Sequence, residues 1–284
     1  MHQLEFSPST LANLAGRKVI IPGADRGIGA STTALFNSKG ANVILVNLLS
    51  ARDRAQTLVK SSQYLENTIF TLLNYWYMVI IAALAGGSDP LICKDLYLYL
   101  ISKPEFSTPS QRQPLIRRIR EALVKTICIV GVCRPIEAIL AINEVERDED
   151  KDHSVTREGW QCDEYNYNRG MGWMEKIYTR DTRGTMDLFR DHKDFEWISR
   201  NITYGLYLSD RQVLDDPETE IIVLSGIMIQ NLPKETHWHI RGSRRFGISR
   251  EDVETIASTV HSIAGFLGLK LDKVPTVEDV EKDV

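Results

Sequence analysis

Beyond Ser62 the chain is a succession of helix-length apolar patterns broken by prolines and polar loops, and this pattern points to a mainly α fold. Helices are expected at about 64–85, 89–102, 114–131, 135–146, 169–178, 182–190, 194–207, 215–230, 234–246 and 249–269. The second ends before Pro104, because a residue preceding proline disfavours the helical conformation. The segment KPEFSTPSQRQP then reads as a loop, and the charged stretch 144–168 as an exposed linker or loop. Ser249 opens the last long helix, with Glu251 and Asp252 in its first turn, where the helix dipole favours acids. The acidic tail LDKVPTVEDVEKDV is expected to fray.

The first 62 residues have a different grain. Two short β-branched runs, RKVII (17–21) and NVILVN (42–47), flank a helical pattern from about Gly27 to Lys39, which is a β-α-β start. This region holds seven Lys or Arg against three acids, although the whole chain is at −4. Two parts are therefore expected, 1–62 and 63–284. One β-α-β unit cannot complete a parallel sheet, so the first part reads as a truncated fragment.

At 284 residues, 43% hydrophobic and 25% charged, the chain is no disordered, collagenous or coiled-coil sequence. A net charge of −4 gives no electrostatic footprint for nucleic acid. Cys93, Cys128, Cys133 and Cys162 form no CxxC pair, which argues against a disulfide framework and a structural metal site. The N-terminus lacks a basic-then-apolar secretory pattern. A cytoplasmic setting is expected, with mitochondrial and peroxisomal settings left open. Thr68–Gly87 is uncharged and nearly long enough to span a bilayer, but Asn74, Tyr75 and Tyr77 interrupt it and no basic cluster flanks it. It reads as a buried helix, with no membrane partner.

Pro22-Gly23-Ala24-Asp25-Arg26-Gly27-Ile28-Gly29 follows the first strand and opens a helix. Glycines at this spacing let a backbone turn tightly against a pyrophosphate held by the helix N-terminus. The stretch LAGRKVIIPGADRGIGASTTALFNSKGANVILVN resembles the opening of the short-chain dehydrogenases/reductases, which implies NAD(P) at Gly23, Gly27 and Gly29. It departs from that pattern at Pro22 and Asn47, where the family has a threonine and an acid. The family's Tyr-x-x-x-Lys occurs once, as Tyr99…Lys103, too soon after the glycine loop and in an amphipathic helical stretch.

The richest chemical signal lies in EIIVLSGIMIQNLPKETHWHIRGSRRFGI (220–248). Glu235, Trp238, His239 and Gly242 fall at i, i+3, i+4 and i+7, on one helical face, and His237 points away. A Glu and a His one turn apart can orient each other and move a proton. The same spacing also describes an ordinary surface Glu–His pair. Arg241, Arg244, Arg245 and Arg250 make the region locally positive, suited to a carboxylate-bearing ligand. His237 and His239 diverge on a helix, so no metal site is expected. Residues 121–137 and 220–235 share a weak repeat: Glu, an apolar helix, a proline turn, then Glu.

Glu220-x11-Leu232-x2-Glu235-x3-His239, followed by RGSRRFGISREDVE, resembles the carboxymuconolactone decarboxylase/AhpD-like family, over about 64–271. AhpD-type peroxidases carry cysteines where Leu232 and Glu235 stand here, so a thiolate peroxidase is not implied at this site. The earlier counterpart, Glu121-x11-Cys133-x2-Ile136-x3-Leu140, lacks the His and reads as the structural copy. The resemblance implies helical hairpin repeats and a cofactor-independent decarboxylase-like enzyme acting on a small carboxylated or lactone-like metabolite, with fungal secondary metabolism as a candidate setting. His239 would be its proton donor and acceptor, Glu235 its orienting partner, and Glu220 would stand behind, reaching the site only if another hairpin or subunit folded over it. A homo-oligomer is compatible with this reading. The alternatives are an NAD(P)-dependent oxidoreductase and a non-catalytic AhpD-like scaffold.

Overall fold

The computed structural model describes residues 18–22, 42–46, 75–179, 184 and 187–284. The chain divides into two units, Met1–Arg54 and Ala55–Val284. In the first, β1 (Lys18–Pro22) pairs in parallel with β2 (Asn42–Val46), Lys18 opposite Asn42 and Pro22 opposite Val46. Gly23, Gly27 and Gly29, and the helix expected after them, lie outside the described residues.

The second unit is helical. Its elements are α1 (Trp76–Gly86), α2 (Cys93–Ile101), α3 (Pro109–Val130), α4 (Cys133–Asn143) and α5 (Glu164–Tyr178). Then come α6 (Lys193–Trp197), continuing as a π-helix over Ile198–Leu208, α7 (Asp216–Met228), α8 (Pro233–Arg245), α9 (Arg250–Phe266) and α10 (Val277–Glu281). Helices α1 and α7 are apolar on nearly every side, and a helix with no polar face can only be stable in an interior. They pack on each other, with α3 against both and α9 covering α1. Among the described residues no helix is long and apolar enough to cross a membrane. Residues 64–74, and residues 182, 183, 185 and 186 of the helix expected at 182–190, lie outside the described residues, and 188–190 form a turn.

Three expectations need correction. Helix α3 begins at Pro109, not near 114: Thr108 and Gln111 form a capping box and Pro109 takes the first position, where its missing N–H costs nothing. Pro114 sits inside the helix, and the bond it forgoes would have reached Ser110, which is exposed to water. Second, 144–168 is no free linker. Asp150 is buried on Arg112 Nε at 2.7 Å, and Asp152 binds both Arg117 and Arg120. Arg117 beside it holds the Asp152 carboxyl well below the usual carboxylate range. Helix α5 starts early, at Glu164, because Asp163 caps the Asn166 N–H at 2.8 Å. Third, the tail is docked: Thr276 caps α10, Val277 and Val280 are buried, and Arg244 reaches Glu281 at 3.0 Å.

Candidate active site

Helix α7 is started firmly. Asp215 accepts from the Glu218 N–H at 2.9 Å and Glu218 accepts from the Asp215 N–H at 2.8 Å. Glu220 follows one turn in, on a helix whose every face is covered, and is fully buried. The chain reverses through Asn231, which takes a left-handed φ of 60°, and Pro233 at the first position starts α8. This reversal lays His239 on Glu220: Nδ1 and Oε1 are 2.8 Å apart, between side chains only 5% and 0% exposed.

Gly242 is what allows the approach. A Cβ there would come within 2.9 Å of both Glu220 Oε1 and Ile177 Cγ2. Helix α5 supplies the wall. The Tyr178 ring stands edge-on to His239 at 6.5 Å and to Trp238 at 6.1 Å. Its hydroxyl pairs with that of Tyr204 at 2.8 Å in the interior, beneath Trp173 and Phe246. Burial pushes both tyrosine hydroxyls well up. It also raises the Glu220 carboxyl, because burial disfavours the charge more than His239 restores it. The second carboxyl oxygen, Oε2, is buried with no hydrogen-bond partner among the described residues. With Nδ1 on the carboxyl, Nε2 is the imidazole nitrogen that remains, on a side chain only 5% exposed.

The structure thus joins His239 to Glu220 and leaves Glu235 apart. Glu235 is half-buried in the first turn of α8, and its carboxylate makes no hydrogen bond among the described residues. A shared helical face does not ensure contact when a rigid partner already holds the imidazole. Glu220 also needs no second hairpin or subunit, since its own hairpin brings it to His239. The sequence signal for it was the Glu-x18-His spacing of the resemblance, not helical periodicity.

The expected positive surround is largely spent internally. Arg244 binds Glu281, Arg245 donates to the Ile177 carbonyl at 2.7 Å, and Arg250 pairs with Glu254 at 2.7 Å. His237 turns to Asp283 at 2.9 Å. No thiol stands near His239 on α7 or α8: Leu232 is the exposed N-cap of α8. Cys128, on α3, packs against the aromatic cluster, and burial pushes its thiol up to about 12, away from the thiolate that peroxide chemistry needs.

In the first hairpin, Glu121 is gripped by the Arg157 fork at 2.6 and 2.7 Å, with Lys125 at 3.7 Å. Leu140, at the place His239 takes in the second, is 54% exposed. Tyr99 and Lys103 are occupied together, the ammonium lying 4.8 Å from the Tyr99 ring and 5.5 Å from Trp76. Cavities among the described residues include one of 450 Å³ beside Trp76 and Arg118 and one of 270 Å³ beside Glu121. His239 lines neither.

Fold and site together define a helical-hairpin protein with an interior Glu–His pair. No family model matches the chain, and no solved structure matches it. It is similar to Peroxisomal protein 2 of Saccharomyces cerevisiae, at 20% identity over 272 residues, covering 76% of this chain and 95% of that protein. It is also similar to Peroxisomal protein 2 of Schizosaccharomyces pombe, at 23% over 163 residues, covering 54% of this chain and 71% of that protein.

Proposed function

We propose that the helical unit is a cofactor-independent acid–base enzyme of the carboxymuconolactone decarboxylase type, with AhpD-like hairpins, acting on a small carboxylated or lactone-like metabolite. The observation that carries this reading is the 2.8 Å bond from His239 Nδ1 to the fully buried Glu220. The imidazole is held in one orientation, so Nε2 can take a proton from a substrate and return it. Glu220 steadies the imidazolium that forms, at the cost of a buried carboxylate whose other oxygen has no partner among the described residues. Such a pair is poor economy for a merely structural contact, since burying an ionised carboxyl is expensive without full pairing. The names of the two relatives direct the cellular assignment to the peroxisome.

The test is CO2 release from a panel of carboxylated lactones, beginning with γ-carboxymuconolactone. His239→Ala is expected to abolish turnover, on the order of a thousandfold. Glu220→Gln should lower it about tenfold to a hundredfold, and Glu235→Gln should leave it within about twofold. Stability adds an independent check. A carboxyl raised in the fold loses stability as pH climbs from its unfolded value through the folded one. Glu220→Gln should therefore flatten the fall of melting temperature above about pH 4.5 and not destabilise the protein at pH 7. Wild-type inactivity across the panel, or full activity in His239→Ala, overturns the reading.

A second reading concerns the first unit. The parallel pairing of β1 and β2 favours a short-chain dehydrogenase-like β-α-β fragment, with a nicotinamide phosphate at Gly23, Gly27 and Gly29. Binding to the native state raises its melting temperature by mass action. A concentration-dependent rise with NADH or NADPH, lost in Gly27→Val, is the expected result under this reading; an unchanged melting temperature at millimolar cofactor removes it.

A further inference from the structure

A second site sits at the other end of the α7–α8 hairpin, away from the Glu–His pair. Here α1 ends at Gly86, α7 ends near Ile229, α4 begins at Cys133 and the chain leaves α9. Between these ends lies a cavity of 410 Å³, bordered by Gly87, Ser88, Arg134, Gln230, Asn231 and Lys270 among others. Two of its lining residues are cations and none is an acid.

Neither cation makes an ion pair among the described residues. Arg134 spends one donor, NH1, on the Gly86 carbonyl at 2.7 Å, which fixes the guanidinium at the wall and leaves its other donors without partners among the described residues. Lys270 makes no hydrogen bond or ion pair among the described residues. Asp272 faces Lys270 and Lys273 and has one oxygen engaged by Asn231 Nδ2 at 2.8 Å. The other polar groups on the wall are the Ser88 hydroxyl and the Gln230 and Asn231 amides. Gln230 is tied to the Gly226 carbonyl at 2.7 Å, and Asn231 also accepts from the Lys273 N–H at 2.9 Å, so this part of the wall is rigid.

Several buried or half-buried arginines of the helical unit are answered by carboxylates: Arg112 by Asp150, Arg117 and Arg120 by Asp152, Arg118 by Glu218, Arg157 by Glu121. Arg134 stands at an exposed position, its guanidinium anchored at a concave surface by the Gly86 carbonyl and with no ion pair among the described residues. We propose that this cavity binds a small, multiply charged oxyanion, clamped between Arg134 and Lys270 with Ser88 as a further donor. Arginine presents a planar fork matched to carboxylate and phosphate oxygens, and lysine adds a movable point charge. The inference does not depend on the reading of the Glu–His pair.

Titration calorimetry on the full chain tests it, using inorganic phosphate and succinate separately against sodium chloride of equal ionic strength. Saturable one-site binding of either anion in the millimolar range or tighter is expected, and the anion that binds tells a phosphoryl from a dicarboxylate ligand. Arg134→Gln and Lys270→Gln should each weaken it about tenfold, and the double variant should remove it. Arg134 caps a helix end, so its fold is checked by circular dichroism, and Lys270→Gln, at an exposed position, serves as the variant that leaves the fold untouched. Heats that match sodium chloride for both anions, or full binding in a folded double variant, would falsify the proposal.

Discussion

Gly170→Ala is expected to destabilise the helical unit by about 2–3 kcal/mol, although alanine is the better helix former by about 1 kcal/mol. Gly170, on α5, lies against the π-helix at Gly205. A Cβ there would stand 2.7 Å from Gly205 N and 2.8 Å from the Arg200 carbonyl oxygen. These are backbone atoms, which cannot swing aside as a side-chain tip can, so the two helices must separate. Gly205 is closed from its own side by Asn166, whose amide also donates to the Asn201 carbonyl at 2.8 Å. Gly172, two residues along the same helix, is exposed and a Cβ there meets nothing within 4 Å. Gly172→Ala should therefore be neutral or stabilising by up to about 1 kcal/mol. Thermal melts of the two variants decide the matter: a fall of about 4–12 °C for Gly170→Ala, and none for Gly172→Ala. Equal behaviour would mean that α5 and the π-helix do not meet backbone to backbone. The consequence reaches the Glu–His pair, because α5 also carries Ile177 and Tyr178, which wall it.

Arg157→Ala should cost about 3–5 kcal/mol, the expected loss when one partner of a buried ion pair is removed. Arg157 comes from the 144–163 segment and places its fork on Glu121, which is nearly inaccessible in the middle of α3. It also donates to the Leu206 and Tyr207 carbonyls at 3.1 Å each, and lies 3.4 Å from the buried Asp210. Without it Glu121 keeps only Lys125, whose ammonium is drawn to the Leu208 and Asp210 carbonyls at 2.9 and 2.7 Å. Replacing both members, Glu121→Met with Arg157→Met, should recover most of the loss, since the buried charge leaves with its partner. Denaturant melts of the two singles and the double give the coupling; a double as unstable as the sum of the singles would contradict the pairing. Burial pushes Lys125 down to about 8 from an ordinary 10.5. The native state thus releases this proton before the unfolded chain does, and the Lys125 contribution to stability rises with pH between about 8 and 10.5. Removing Arg157, which also lowers Lys125, should shift that rise to higher pH.

Much of this architecture was legible in the residues themselves. Periodicity and proline placement locate α2, α4, α7, α8 and α9 to within a few residues, because amphipathic spacing and helix-end chemistry are local properties of the chain. The reversal at Asn231–Pro233 belongs to the same class. Local rules also suggested that Glu235, one turn from His239, was its partner. They could not weigh it against Glu220, nineteen positions away, because that choice depends on how closely α7 and α8 approach. Gly242 decides the distance by leaving no side chain between Ile177 and the carboxyl. The tail was misjudged for a related reason: LDKVPTVEDVEKDV looks too polar to pack, yet Val277 and Val280 suffice once α8 offers Arg244 and His237 to its acids. The strap 144–168 is likewise ordered by arginines on α3 that share no local pattern with it. What the sequence determined by itself is therefore the set of helices, their ends and the apolar side of each. Which ionised groups meet inside them was decided only by the tertiary structure, since a buried charge is stable only where packing brings its partner within a hydrogen bond.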